Sequence, residues 1–287
     1  MNIIQETNTG TFVPGFGRLD DTIDDSNRLL LPQLVKVMTG KLKTTVAIYF
    51  LGTLGKRDKP VPYFLIITSN SEQRNSLSLV SMVEESCQGI APVIVFVHNA
   101  DNVITAATGG NHFFASILLH RSLVYLSGDL LLPKPGPLNY PLHLQAARKI
   151  WERWYGMSLE FSEGAKFYVE RKNYRLALFS LHQATECILK AINRAVTGYR
   201  IEVHNLSRLL TISTLFSNNL MDVFPMKTED GILEFDLLKH AYTQSRYKDD
   251  FEPEEKQVKA LFHHVLRLQE ESQTLYIDNG SSIDAVK

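Results

Sequence analysis

The stretch FSLHQATECILKA, Phe179 to Ala191, decides the fold of the second half of this chain. Its apolar residues do not alternate as they would in a strand. Ala177, Leu181, Ala184, Ile188, Ala191 and Ala195 recur in steps of four and three, the spacing of one helical stripe that faces a bundle. Gly198 follows the last of them, where a helix C-terminus favours glycine. Gln183, Glu186 and Lys190 share another face of the same helix, because steps of three and four stay together. By spacing alone they form a surface stripe with a Glu186–Lys190 pair. His182, beside the core stripe, then reads as a structural histidine.

Around this helix, strand signals are absent. Ala147, Trp151, Trp154, Phe161, Ala165 and Tyr168 predict one long helix with a single gap at Ser158. Leu206, Leu209, Leu210 and Phe216 give a short third helix, and Phe235, Leu238, Ala241, Tyr242 and Ser245 a fourth. Pro253 opens a fifth, with Val258, Leu261, Phe262, Val265 and Leu268 on one face and Glu254 and Glu255 suiting its first turn. Residues 142–275 therefore read as an antiparallel bundle of about five helices, and 276–287 as a tail.

Upstream, LPKPGPLNYP, Leu132 to Pro141, is the clearest linker. Residues 1–26 read as a loose lead-in that ends in the acidic run DDTIDD. Between them, 27–131 mixes helix and strand. A helix is expected over Leu31–Leu42, with Pro32 in its first turn. Strands are expected at Thr44–Leu51, Tyr63–Thr68 and Pro92–His98. Further helices are expected over Ser76–Glu85 and Asn111–Leu126. The fold class is thus an α+β domain followed by an all-α bundle.

Composition narrows the function classes. The 287 residues are 44% hydrophobic and 21% charged, with a formal net charge of -1, and neither half has the basic excess of many nucleic-acid binders. Cys87 and Cys187 lack any metal-ligand spacing and read as reduced thiols. The N-terminus has no signal-peptide pattern, and no apolar run approaches the roughly 20 residues of a membrane span. The expectation is a cytoplasmic protein away from membranes, and nothing calls for a metal or an organic cofactor.

Three motifs, in order, resemble a HEPN domain, the higher-eukaryote and prokaryote nucleotide-binding family. LHQATECILKA resembles its second-helix signature, HNLSRLL from His204 its entry to the next helix, and AYTQSRY its fourth-helix ending. The resemblance implies a nucleotide or RNA ligand, a homodimer, and candidate ligand-binding residues Gln183, Glu186, Lys190, His204, Tyr242, Arg246 and Tyr247. Charge for phosphate and a ring for stacking make Arg246, Tyr247 and Lys190 suitable. The competing role for Arg246 is a local pair with Asp249 or Asp250.

Many HEPN domains are metal-independent ribonucleases with Arg, four to six residues, then His near the end of the bundle. This chain departs from that pattern, since Arg246 is followed by YKDDFEPEEK. Arg175 and His182 match the spacing but sit on the second helix, and the match reads as chance. Arg200 and His204 are too close together.

HEPN domains often accompany minimal nucleotidyltransferases, and the order of elements in 27–131 is compatible with that fold. Leu51-Gly52-Thr53 resembles its phosphate-cradling turn. The chemistry then fails. Such transfer needs strand carboxylates to hold Mg²⁺, and neither YFLIIT nor PVIVFVH carries one. The first half resembles a degenerate nucleotidyltransferase. The sequence leads to a non-catalytic, dimeric HEPN protein that binds a nucleotide or RNA, with no catalytic residue assigned. A HEPN ribonuclease of toxin or defence type and a structural or partner-binding protein are the alternatives.

Overall fold

The computed structural model describes residues 19–20, 25–54, 61–127, 135–136 and 138–284. Most of the lead-in, much of the linker and the last three residues lie outside them. The chain divides into two compact units, Met1–Asn139 and Tyr140–Lys287.

The first unit is built on a four-stranded sheet of order β3-β2-β1-β4. Strand β1 (Thr45–Leu54) pairs antiparallel with β2 (Val61–Thr68) and with β4 (Ser122–Leu126). Strand β3 (Ile94–Asn99) runs parallel to β2 after the crossover helix α2 (Ser76–Cys87). Every residue of β2 from Pro62 to Thr68 is buried. That continuous apolar run arises because both faces of the sheet are covered. Phe50, Phe64, Ile66, Val95 and Val97 share a core with Leu34 and Met38 of α1 (Asp25–Lys41) and with Leu79 and Val83 of α2. On the other face, Phe96 meets Phe113 with ring centroids 5.3 Å apart. Phe113 belongs to α4 (His112–His120), which follows α3 (Ala100–Thr108). At the edge strand, the Val95 N–H donates to Glu84 Oε1 at 3.0 Å, which covers an edge amide.

Several details depart from expectation. The helix expected over Asn111–Leu126 stops at His120, and Ser122–Leu126 is strand β4. SLVYL has the β-branched and aromatic content to pair with β1, and that pairing overrides the helical spacing. Helix α3 was not expected, although Asn99 caps it by accepting from the Asn102 N–H at 2.9 Å. Helix α1 starts at Asp25, so Pro32 lies inside it rather than in its first turn. Gly52 and Thr53 are not a turn. They sit in β1, opposite Tyr63 and Pro62. Gly52 has a φ of 129°, and a Cβ there would lie 2.7 Å from Leu19 Cβ. Asp20 and Thr53 exchange backbone hydrogen bonds of 3.1 and 2.8 Å. The backbone at Gly52 is therefore packed against the chain's own Leu19–Asp20 segment.

The second unit is helical: α5 (Tyr140–Glu170), α6 (Tyr174–Thr197), α7 (Leu206–Ser213), the short α8 (Asn219–Asp222), α9 (Glu229–Tyr247) and α10 (Glu255–Asp284). Helix α6 is the central element, packed by α5, α7, α9 and α10. Ala177, Leu181, Ala184, Ile188 and Ala191 are fully buried. Gly198 ends the helix in the left-handed conformation, φ 73°, with its N–H on the Arg194 carbonyl.

The gap at Ser158 on α5 is filled by polar contacts. Ser158 Oγ donates to the Ala184 carbonyl at 2.8 Å, and Gln269 Nε2 of α10 lies 2.7 Å from the same hydroxyl. Residues 276–287 were expected as a tail, yet α10 runs to Asp284. Trp151 explains the extension. It is stacked between Tyr155 and Tyr276, at 4.6 and 4.4 Å, and so ties the end of α10 to α5.

Candidate functional site

Asn173 starts α6 by accepting from the Leu176 N–H at 3.2 Å, and Asn205 starts α7 by accepting from the Arg208 N–H at 3.0 Å. Gly198, which closes α6, and Asn205 therefore bound the connection that carries His204. On α6, Glu186 lies beneath that connection, its side chain only 10% exposed. Its Oε1 accepts from Lys190 Nζ and from His204 Nδ1, each at 2.8 Å. Lys190 is itself only 11% exposed, and its ammonium sits 5.7 Å from the Trp154 ring centroid. The Glu186–Lys190 pair expected on the surface is thus a buried pair, and Lys190 is engaged by the carboxylate. His204, in contrast, is 78% exposed. With Nδ1 directed to Glu186, its Nε2 is left for solvent.

His182 joins this cluster to α9. It is buried, and its Nδ1 lies 2.9 Å from the Leu238 carbonyl. A carbonyl can only accept, so Nδ1 carries the proton and Nε2 faces Glu186 Oε2 at 3.8 Å. Burial lowers the His182 pKa, against the opposing pull of the Leu238 carbonyl and Glu186. The imidazole is therefore a neutral tie between α6 and α9.

The far side of the His182 ring meets Tyr242, 5.8 Å between centroids, and Tyr242 stacks on Phe179 at 5.9 Å. Arg246 Nη1 donates to the Tyr242 hydroxyl at 2.6 Å. The Arg246 guanidinium is 5.1 Å from the Tyr242 ring and 5.0 Å from the Tyr247 ring. Among the described residues Arg246 has no carboxylate partner; its neighbour Lys248 takes Asp250 at 3.8 Å. Arg246, Tyr242 and Tyr247 are all exposed, Tyr247 by 71%.

The structure thus gathers Glu186, Lys190 and His204 into one cluster and Tyr242, Arg246 and Tyr247 into another, with His182 between them. Gln183 is half-buried on α6 and takes part in neither. Arg175 and His182, which matched the ribonuclease spacing, both turn toward the backbone of α9. Arg200 pairs with exposed Glu202 at 3.1 Å. Spacing missed two partners, Trp154 beneath Lys190 and Arg175 at the end of α9, because both contacts join different helices.

Among the described residues no group of three or more His, Cys, Asp or Glu could hold a metal ion. The four strands of the first unit carry no carboxylate, so their residues do not fit a Mg²⁺ site. Burial pushes Cys87 up to about 11 and Cys187 up to about 12, so neither offers a thiolate near neutral pH. No described helix is long and apolar enough to cross a membrane.

Residues 151–273 match the model of the HEPN domain. This helical unit carries a HEPN domain. The match spans α5 from Trp151 to the middle of α10, and so includes every residue of the two clusters. No curated protein matches the chain. Among solved structures, a nucleotidyltransferase-like protein from Exiguobacterium sibiricum 255-15 is similar at 14% identity. The alignment covers 86% of this chain and 78% of that one, with a TM-score of 0.24, too low to support an argument about fold or activity.

Proposed function

We propose that the HEPN unit binds a nucleotide, free or within RNA, without cleaving it, and that it acts as a homodimer in the cytoplasm. The observation that carries this reading is Arg246. It is an exposed guanidinium with no carboxylate partner among the described residues, held against two tyrosine rings at the end of α9. A guanidinium fork suits phosphate oxygens, and exposed rings suit base stacking. Glu186, Lys190 and His182 serve as the buried framework beneath this surface. The strands of the first unit carry no carboxylate to hold Mg²⁺, which favours a unit that transfers no nucleotide.

A specific feature supports the ribonuclease alternative. His204 is exposed and oriented through Nδ1 by a buried carboxylate, which is how an imidazole is prepared for proton transfer at Nε2. Titration of the protein with ATP and with a short fluorescein-labelled single-stranded RNA, followed by electrophoresis of the RNA, separates the readings. Saturable binding with intact RNA supports the proposal. Cleavage that disappears in His204→Ala replaces it with the ribonuclease, and absence of binding to both probes overturns it.

A further inference from the structure

Arg175 binds the backbone at the end of α9 with all three of its guanidinium nitrogens. Its Nε donates to the Ser245 carbonyl at 2.8 Å, its Nη2 to Lys248 at 2.8 Å, and its Nη1 to Asp249 at 3.3 Å. In return, Ser245 Oγ donates to the Arg175 carbonyl at 3.1 Å. The last carbonyls of a helix have no intrahelical donors, and the C-terminal end attracts a cation. Arg175 supplies donors and charge together.

The location of these contacts matters more than their number. Ser245 immediately precedes Arg246, and Lys248 and Asp249 immediately follow Tyr247. The fork therefore grips the chain on both sides of the Arg246–Tyr247 pair. The last turn of a helix frays most readily. Arg246 and Tyr247 sit in that turn, and their side chains face solvent. Beyond Ser245, the last buried residue of α9, the backbone is held by the Lys248 N–H on the Gln244 carbonyl at 3.1 Å and the Phe251 N–H on the Lys248 carbonyl at 3.4 Å, and Lys248 has already turned to an extended conformation.

We infer that Arg175 is a positioning residue for the ligand surface: it holds the end of α9 so that Arg246 and Tyr247 are presented in one fixed geometry. This inference rests on the binding reading above. Arg175 itself is turned into the backbone and does not meet the ligand. A lysine could not replace it, since one ammonium cannot span three carbonyls in a fork.

The test is a double-mutant cycle with the labelled RNA and ATP as probes. Arg175→Met should weaken binding about tenfold in the wild-type background and have almost no effect in an Arg246→Ala background, because both act through the same contact. Arg175→Lys should fall between wild type and Arg175→Met, and it keeps the test open if the methionine variant fails to fold. Hydrogen exchange at residues 245–250 should accelerate in both Arg175 variants, while amides of α6 stay protected. Equal losses of affinity in the two backgrounds, or unchanged exchange at 245–250, would overturn the inference and leave Arg175 a general stabiliser. Wild-type protein that binds while Arg175→Met binds equally well overturns this inference alone. Wild-type protein that binds neither probe overturns the binding reading and this inference with it.

Discussion

Glu186 and His204 lie eighteen residues apart and are joined by a 2.8 Å hydrogen bond. Because Glu186 is buried in α6 and His204 is exposed ahead of α7, the bond anchors the α6–α7 connection to the bundle. The same oxygen holds Lys190. A buried pair broken on one side leaves the other charge uncompensated. Glu186→Ala should therefore destabilise the HEPN unit by about 3–5 kcal/mol, well above the effect of an exposed pair. Replacing both partners, Glu186→Leu with Lys190→Met, should cost much less. Urea unfolding of the three proteins checks this, and equal small losses would place the pair on the surface after all.

Gly231 tests the packing at the start of α9. A Cβ at that position would lie 2.1 Å from the Pro225 carbonyl oxygen. The backbone must move to accept even alanine, so Gly231→Ala should cost about 1–3 kcal/mol. Alanine favours helix over glycine by roughly 1 kcal/mol, so a stabilised variant would show that the close approach does not exist. Thermal melting decides between the two signs.

Acid sensitivity follows from two histidines, one in each unit. Burial lowers His98 in the first unit and His143 in the HEPN unit to about 4. For each, the unfolded chain takes up a proton near the ordinary value of 6.5 while the folded chain resists. Both rings are half-buried, so stability is complete above about pH 6.5 and falls as the pH drops toward 4, by at most about 3 kcal/mol for each ring. Melting curves between pH 7 and 5, above most carboxylate titration, should show a falling midpoint. His143→Gln should flatten the part that belongs to the helical unit. A midpoint that rises on acidification would contradict the account.

The sequence reveals the bundle well because its signal is local. Ala177 to Ala195 on α6 needs only its own spacing to be read, and Gly198 marks its end. The motifs around Glu186, His204 and Arg246 lead to the HEPN domain for the same reason. What local spacing cannot show is partnership between helices. Trp151 of α5 is stacked between Tyr155 of its own helix and Tyr276 of α10, a partnership that spacing within α5 does not reveal. The Glu186–Lys190 pair is legible in the spacing, but its burial under Trp154 is not. Arg175 reads as a chance half of a ribonuclease motif, and its contacts with the end of α9 form only once α9 is packed against α6. In the first unit, SLVYL had strand chemistry in plain view, but helical spacing ran on into it from Phe114 and Leu118.

Removal of the first unit tests whether the HEPN unit is self-sufficient. Residues 140–287 form their own compact unit, with α6 surrounded by helices of the same unit. Expressed alone, they should give a helical circular dichroism spectrum and a cooperative melt. A disordered spectrum would show that the apolar stripes of the bundle need the first unit.

The central claim is that Arg246 offers its guanidinium to a phosphate. One charge-assisted contact of this kind is worth roughly 1.5–3 kcal/mol, or on the order of ten- to hundredfold in affinity. Because Arg246 is exposed and its side-chain contacts are with two exposed tyrosines, the fold should not depend on it. The decisive measurement is the affinity of wild type and Arg246→Ala for the labelled RNA and for ATP, with the melting temperature of both. The account predicts a ten- to hundredfold loss of affinity at a nearly unchanged melting temperature. Unchanged affinity, or a loss that merely follows a fall in melting temperature, would contradict it.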